Sequence, residues 1–124
     1  MHICFGYAAI IHQRPSGYSF LPELAGSPCQ QISIETAQSG LDCSVLAKLE
    51  GSRSCSAAST LDDPAVEAPE TIVGRVKRAL PHVRAERVIL APDCGMKYLP
   101  RDIAFAKLKS MVAAAAMLRA EFGG

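Results

Sequence analysis

Apolar and polar positions alternate between two periods along this chain, and the alternation predicts strands and helices in turn. His2 to Tyr7 reads as a buried strand, followed by the turn cluster Arg14-Pro15-Ser16-Gly17. Ser19 is placed to cap a short helix through Ala25, with Pro22 in its first turn. Gln31 to Glu35 alternates Ile32 and Ile34 as a strand does and leaves Glu35 at the carboxyl end, after which Val45, Leu46 and Leu49 have helical spacing. Pro69 suits the first turn of a helix whose Ile72, Val73, Val76, Ala79 and Leu80 follow a 3.6 period. Val88 to Ala91 is a short buried strand that runs into Pro92-Asp93-Cys94-Gly95.

The last helix begins near Asp102, because Pro100 blocks earlier helix and Asp can cap. Ala104, Leu108, Met111, Val112, Ala115, Leu118 and Phe122 make one stripe, read as core packing, with Arg101, Lys107, Lys109 and Arg119 opposite. Residues 51–61 break the pattern: Gly-Ser-Arg-Ser-Cys-Ser-Ala-Ala-Ser-Thr, from Gly51 to Thr60, stands where an apolar strand belongs, and the segment 51–61 is read as a degraded strand. The order is strand and helix four times over, an α/β class with parallel strands and crossover helices in one domain, 1–124.

Composition narrows the function. A chain of 124 residues with 49% hydrophobic content supports one globular unit, and a mean hydropathy of +0.16 argues against general disorder. With 13 basic and 12 acidic residues dispersed along the chain, no footprint for nucleic acid or an anionic membrane is present, and a small-molecule substrate is expected. The longest apolar run, Met111 to Leu118, is too short to span a bilayer, and Met1 is followed at once by strand-like text, so a cytoplasmic location is expected. Five cysteines in no regular framework fit reduced thiols and metal binding better than disulfides.

Candidate chemistry concentrates in four residues. Positions i and i+2 of a strand share a face, so His2 and Cys4 can aim at one point. Cys94 lies at the carboxyl end of the Val88 strand and Glu35 at the end of the Gln31 strand, the edge where parallel α/β folds build sites. Two thiolates, one imidazole and one carboxylate suit Zn²⁺ better than Mg²⁺ or Ca²⁺. A lone His-x-Cys is usually structural, and Glu35 could equally be solvated or cap a helix. Cys29, Cys43 and Cys55 read as small packed residues, His12 and His82 as loop and helix-end residues, and Lys97 and Tyr98 as surface or site-mouth residues.

The run Pro92-Asp93-Cys94-Gly95-Met96-Lys97, with Ala106-Lys107-Leu108 and Met111-Val112-Ala113-Ala114-Ala115 after it, resembles the C-terminal end of cobalamin-independent methionine synthase. His2-x-Cys4 and Ile34-Glu35-Thr36 resemble that family's other zinc-ligand motifs in the same order. The resemblance implies the C-terminal half of a (β/α)₈ TIM barrel, about four βα units, whereas a complete barrel takes about 250 residues. It implies a zinc-dependent methyltransferase of methionine biosynthesis, moving a methyl group from 5-methyltetrahydropteroyl-polyglutamate to homocysteine. His2, Cys4 and Cys94 would hold zinc, with Glu35 the fourth ligand, the one that yields when substrate sulfur arrives.

Two departures qualify this. Where the family's synthases place a proton-donor histidine, this chain reads Leu61-Asp62-Asp63-Pro64, so Asp62 is the candidate at that position, and it could serve only with a raised pKa. The barrel strands that carry most homocysteine and folate contacts lie N-terminal to the matching region, so the chain alone is expected to be inactive and to need those strands. The serine-rich segment is close to an out-of-frame reading of the family's apolar strand, which points to a local frameshift in a gene fragment. The alternatives are a zinc-dependent alkyl transferase acting on another thiol and a catalytically dead zinc-binding fragment.

Overall fold

The computed structural model describes residues 1–6, 11, 16–49 and 53–123, with the backbone alone for 53–57. Its elements are β1 (His2–Ile3), α1 (Leu21–Ala25), β2 (Gln31–Ile34), a 3₁₀ segment Cys43–Lys48, β3 (Arg53–Ser59), α2 (Pro69–Lys77), a 3₁₀ turn Ala85–Arg87, β4 (Val88–Pro92) and α3 (Arg101–Phe122). The four strands form one sheet in the order β1-β2-β3-β4, and every neighbouring pair is parallel. Each connection from one strand to the next carries helix or 3₁₀ structure among its described residues, as parallel strands require.

Register shows how the sheet divides its faces. His2 pairs with Ser33 and Ile3 with Ile34. Ile32 and Ile34 are fully buried, in a core with Tyr18, Leu21, Leu46, Leu49 and Val83 under α1 and the 3₁₀ segment. A second core sets Ala58 of β3 against Ile72, Val73 and Val76 of α2 and Ala114 and Leu118 of α3. Because side chains alternate, Ser33 and its partner His2 point away from the Ile32/Ile34 face that the helices cover. The serine-rich segment supplies the backbone of β3, which pairs with β2 through Ser33 and Cys55 and with β4 through Cys55 and Ile89.

Several local expectations shift. β1 is two residues long, and Tyr7, the end of the expected strand, lies outside the described residues, as does His12. Helix α1 has Pro22 in its first turn as expected, but Phe20 occupies the cap position in place of Ser19. Helix α2 starts at Pro69. In α3 the cap position is Pro100, with no side-chain cap bond, and Asp102 sits in the first turn, where its charge meets the helix dipole.

The expected apolar stripe on α3 is displaced. The buried face runs through Lys107, Ser110, Ala114 and Leu118, while Leu108, Val112 and Phe122 are exposed. Polar contacts explain the shift. The Lys107 ammonium donates to the Ala65 carbonyl at 2.6 Å and to Glu67 at 3.0 Å, and Ser110 Oγ donates to the Glu67 carbonyl. These anchors turn the helix so that a lysine faces inward, which only a buried acceptor set makes tolerable.

Candidate metal centre

The carboxyl ends of β1, β2 and β4 meet at one place. Ligand atoms of His2, Cys4 and Cys94 all lie within 4.8 Å of one another. Cys4 Sγ and Cys94 Sγ are 3.4 Å apart although 90 positions separate them in the chain. His2 Nδ1 shares a hydrogen bond of 3.0 Å with Ser33 Oγ, across the His2/Ser33 register pair. The chain leaves β1 through Gly6, whose φ of +88° is a left-handed conformation that suits glycine. A Cβ there would lie 2.8 Å from Ile11 Cγ1.

Glu35 is fully buried and lies beside this cluster, but it is not one of the three residues that the 4.8 Å group brings together. Its backbone N–H donates to the Ile3 carbonyl at 3.3 Å, so the ladder from β1 continues to it. Its Oε2 accepts the Phe5 N–H at 3.2 Å, one residue past Cys4. Asp62 sits on the exposed loop between β3 and α2, and Asp63 there accepts the Ala65 N–H at 2.8 Å. Cys29 is partly buried and Cys43 buried, Lys97 and Tyr98 are exposed and stack 4.9 Å apart, and His82 is exposed in the turn after α2.

Electrostatics mark the cluster as a place for a cation. Burial pushes the Cys4 thiol above its ordinary value, and the neighbouring Cys94 and Glu35 add to the rise. Burial likewise lifts the Asp93 carboxyl to about 6, with the Glu35 charge adding and the N–H groups of Gln38, Ala37 and Thr36 opposing. Thiols and carboxylates gathered this closely resist ionising together, and a dication among them removes that penalty. The geometry is compatible: sulfurs bound to one tetrahedral Zn²⁺ at about 2.3 Å stand about 3.8 Å apart, a few tenths of an ångström beyond the 3.4 Å found here. Two sulfurs and an imidazole fit zinc by ligand type as well.

Two residues behind the site were not among the candidates read from the sequence. Tyr18 is buried, its ring stacked on Phe5 at 4.5 Å and 18°, with its hydroxyl against β1 and β2. Asp93 is buried next to Cys94. Adjacency to Cys94 was the one hint for Asp93, whereas Tyr18 lies in a loop whose pattern says nothing of where it folds.

The parallel βα order and a thiol-imidazole cluster at the carboxyl ends define an α/β protein with a candidate metal centre at its strand ends. Comparison with known proteins makes the class specific. Residues 21–117 match the family model described as cobalamin-independent synthase, catalytic domain, and the chain belongs to that family. A methionine synthase of Methanothermobacter marburgensis is 31% identical over 120 residues, which is 93% of this chain and 35% of that protein. One from Pyrococcus horikoshii is 42% identical over 59 residues, 48% of this chain and 18% of that protein. The solved B12-independent methionine synthase from Shewanella sp. W3-18-1, in complex with selenomethionine, superposes with a TM-score of 0.88 at 25% identity, over 97% of this chain and 38% of that one. The matched region thus covers 18% to 38% of the length of these relatives' chains.

Proposed function

We propose that this chain is the zinc-site half of a (β/α)₈ barrel that transfers a methyl group from a methyl-folate to the thiol of homocysteine, forming methionine. The observation that carries the reading is the convergence of His2, Cys4 and Cys94 donor atoms within 4.8 Å. Family membership supports it, as does the likeness to a structure that holds selenomethionine, the selenium analogue of the expected product. Zinc, when bound, supplies Lewis acidity that favours a substrate thiol as thiolate at neutral pH.

The protein's own residues do the rest in this reading. Ser33 engages His2 Nδ1, which leaves Nε2 as the nitrogen for the metal. Cys4 and Cys94 would hold the metal as thiolates, whose negative charge would preserve the nucleophilicity of a substrate sulfur. Glu35 would be the fourth donor and the one to yield to a substrate thiol, since the Phe5 N–H that its Oε2 accepts would hold the carboxylate when it is not bound to the metal. Asp62 is offered for proton delivery to the departing folate, supported by its position in the loop after β3.

Turnover requires more of the barrel than these four strands. β1 and β4 are the outer strands of the described sheet, and an apolar groove of about 640 Å³ lies beside β4, lined by Leu80, Val88, Leu90, Met111 and Phe122. The relatives carry most of their length outside the matched region, and the strands found there are the occupants proposed for these edges.

Zinc analysis of the purified chain tests the metal site. One ion per chain, lost in Cys94→Ser, is the expected result. Substoichiometric metal that the substitution leaves unchanged would remove the site. Methyl transfer by this chain alone should be undetectable, and activity comparable to the full-length relatives would refute the need for the other strands.

A further inference from the structure

Behind the donor cluster, two buried side chains tie the three strand ends together. Asp93, one residue before Cys94 and 1% exposed, accepts three successive backbone N–H groups. Its Oδ1 takes those of Thr36 at 3.3 Å and Ala37 at 3.2 Å, and its Oδ2 takes that of Gln38 at 2.5 Å. These amides begin one residue after Glu35. Successive amides converging on one point make an anion nest, and here a side chain of the protein fills it. Because β3 lies between β2 and β4, the contact links ends that the sheet ladder does not join directly.

Tyr18 does the same on the other side. Its hydroxyl accepts the Glu35 N–H at 3.0 Å and lies 3.3 Å from both the Ile3 and the Glu35 carbonyl oxygens, to one of which it donates at a time. Ile3 precedes Cys4, and the Tyr18 ring stacks on Phe5, which follows it.

We propose that Asp93 and Tyr18 are positioning residues that hold the ends of β1, β2 and β4 at the spacing a metal ion needs, so that Cys4, Glu35 and Cys94 are arranged before the ion arrives. The inference rests on the zinc reading above. An apolar side chain would leave the Thr36, Ala37 and Gln38 N–H groups without this acceptor, and those amides adjoin Glu35 in the chain as Asp93 adjoins Cys94, so the contact fixes two candidate ligands relative to each other. Fixing ligand-bearing backbone in advance lowers the ordering cost of binding, which appears as affinity.

Asp93→Asn and Tyr18→Phe test this in the full chain. Asparagine turns one acceptor oxygen into an NH₂ that faces the nest, and phenylalanine deletes the hydroxyl while keeping the ring. Zinc affinity, measured by competition with a chromophoric chelator, should fall roughly 10–100-fold in each, the range typical of residues that orient ligands. Co²⁺ substituted for zinc should show shifted visible absorption bands at saturation, with the melting temperature of the metal-free chain little changed. Unchanged affinity and spectrum in both variants would overturn the proposal, and so would an affinity loss that merely tracks lower metal-free stability with an unaltered saturated spectrum. A wild-type chain that binds neither ion would instead remove the zinc reading itself. If Asp93→Asn does not fold, Tyr18→Phe carries the test.

Discussion

Lys107 Nζ lies 3.0 Å from Glu67 Oε2, and the lysine side chain is fully buried on a face of α3 that its own charge would assign to solvent. Glu67 also accepts from Arg75 Nη1 at 2.6 Å, from Ser59 Oγ at 2.9 Å and from the Thr60 N–H at 2.9 Å. One carboxylate therefore joins the end of β3, the last turn of α2 and the first half of α3. Removing it should cost more than removing any one donor, because Lys107 would be left buried without its anion. We expect Glu67→Ala to destabilise by about 3 kcal/mol or more and Lys107→Ala by less, since Arg75 still pairs with Glu67. Urea unfolding midpoints decide this, and a reversed order would refute it.

Burial on its own would raise the Glu67 carboxyl, but the Thr60 N–H and the Arg75, Lys107 and Ser59 donors outweigh it and hold the group at about 2. A carboxyl depressed in the folded state stabilises fully above its unfolded value of about 4.5, and that stability is lost as pH falls from there toward 2. The loss amounts to up to about 3 kcal/mol at a scale of 1.36 kcal/mol per pH unit. Stability curves between pH 6 and pH 2 should steepen below about 4.5, and Glu67→Gln should flatten that portion. An equal slope in the variant would assign acid sensitivity elsewhere.

Cys4 and Cys94, at 3.4 Å between sulfurs, should cross-link readily once metal is removed. After chelation and mild oxidation with diamide, thiol titration should show two fewer free thiols, and peptide mapping should find Cys4 joined to Cys94. Prior saturation with zinc should block the reaction. Oxidation that proceeds equally fast with and without zinc would contradict metal binding at these sulfurs.

Gly6→Ala puts a Cβ at a positive φ and 2.8 Å from Ile11 Cγ1. Strain of this kind costs about 1–3 kcal/mol, and it falls two residues after Cys4. We expect a lower melting temperature together with weaker zinc binding. A variant with wild-type values for both would show that the backbone here is freer than its conformation implies.

Legibility in the sequence followed the range of the interactions. The Ile32/Ile34 alternation and Pro69 at the start of α2 were readable because each acts over a few residues. Strand period suggested that His2 and Cys4 could share a face, but β1 ends at Ile3, so the fold and not the period brings them together. The length of β1, the cap residues and the buried face of α3 were not readable: the first depends on a neighbouring strand, and the last on Glu67 reaching across from another element. Glu35 was singled out by its place at a strand end, yet its contact with the Phe5 N–H belongs to the fold.

By itself the sequence determined a repeated strand-helix order and the identity of the soft donors at strand ends, since both are written in local periodicity and in residue chemistry. Tertiary structure alone decided which donors meet. Cys4 and Cys94 become neighbours through the parallel sheet, and Asp93 and Tyr18 gain their partners through it as well. Those contacts span from 15 to 90 positions of chain, and no local pattern encodes a distance across that span.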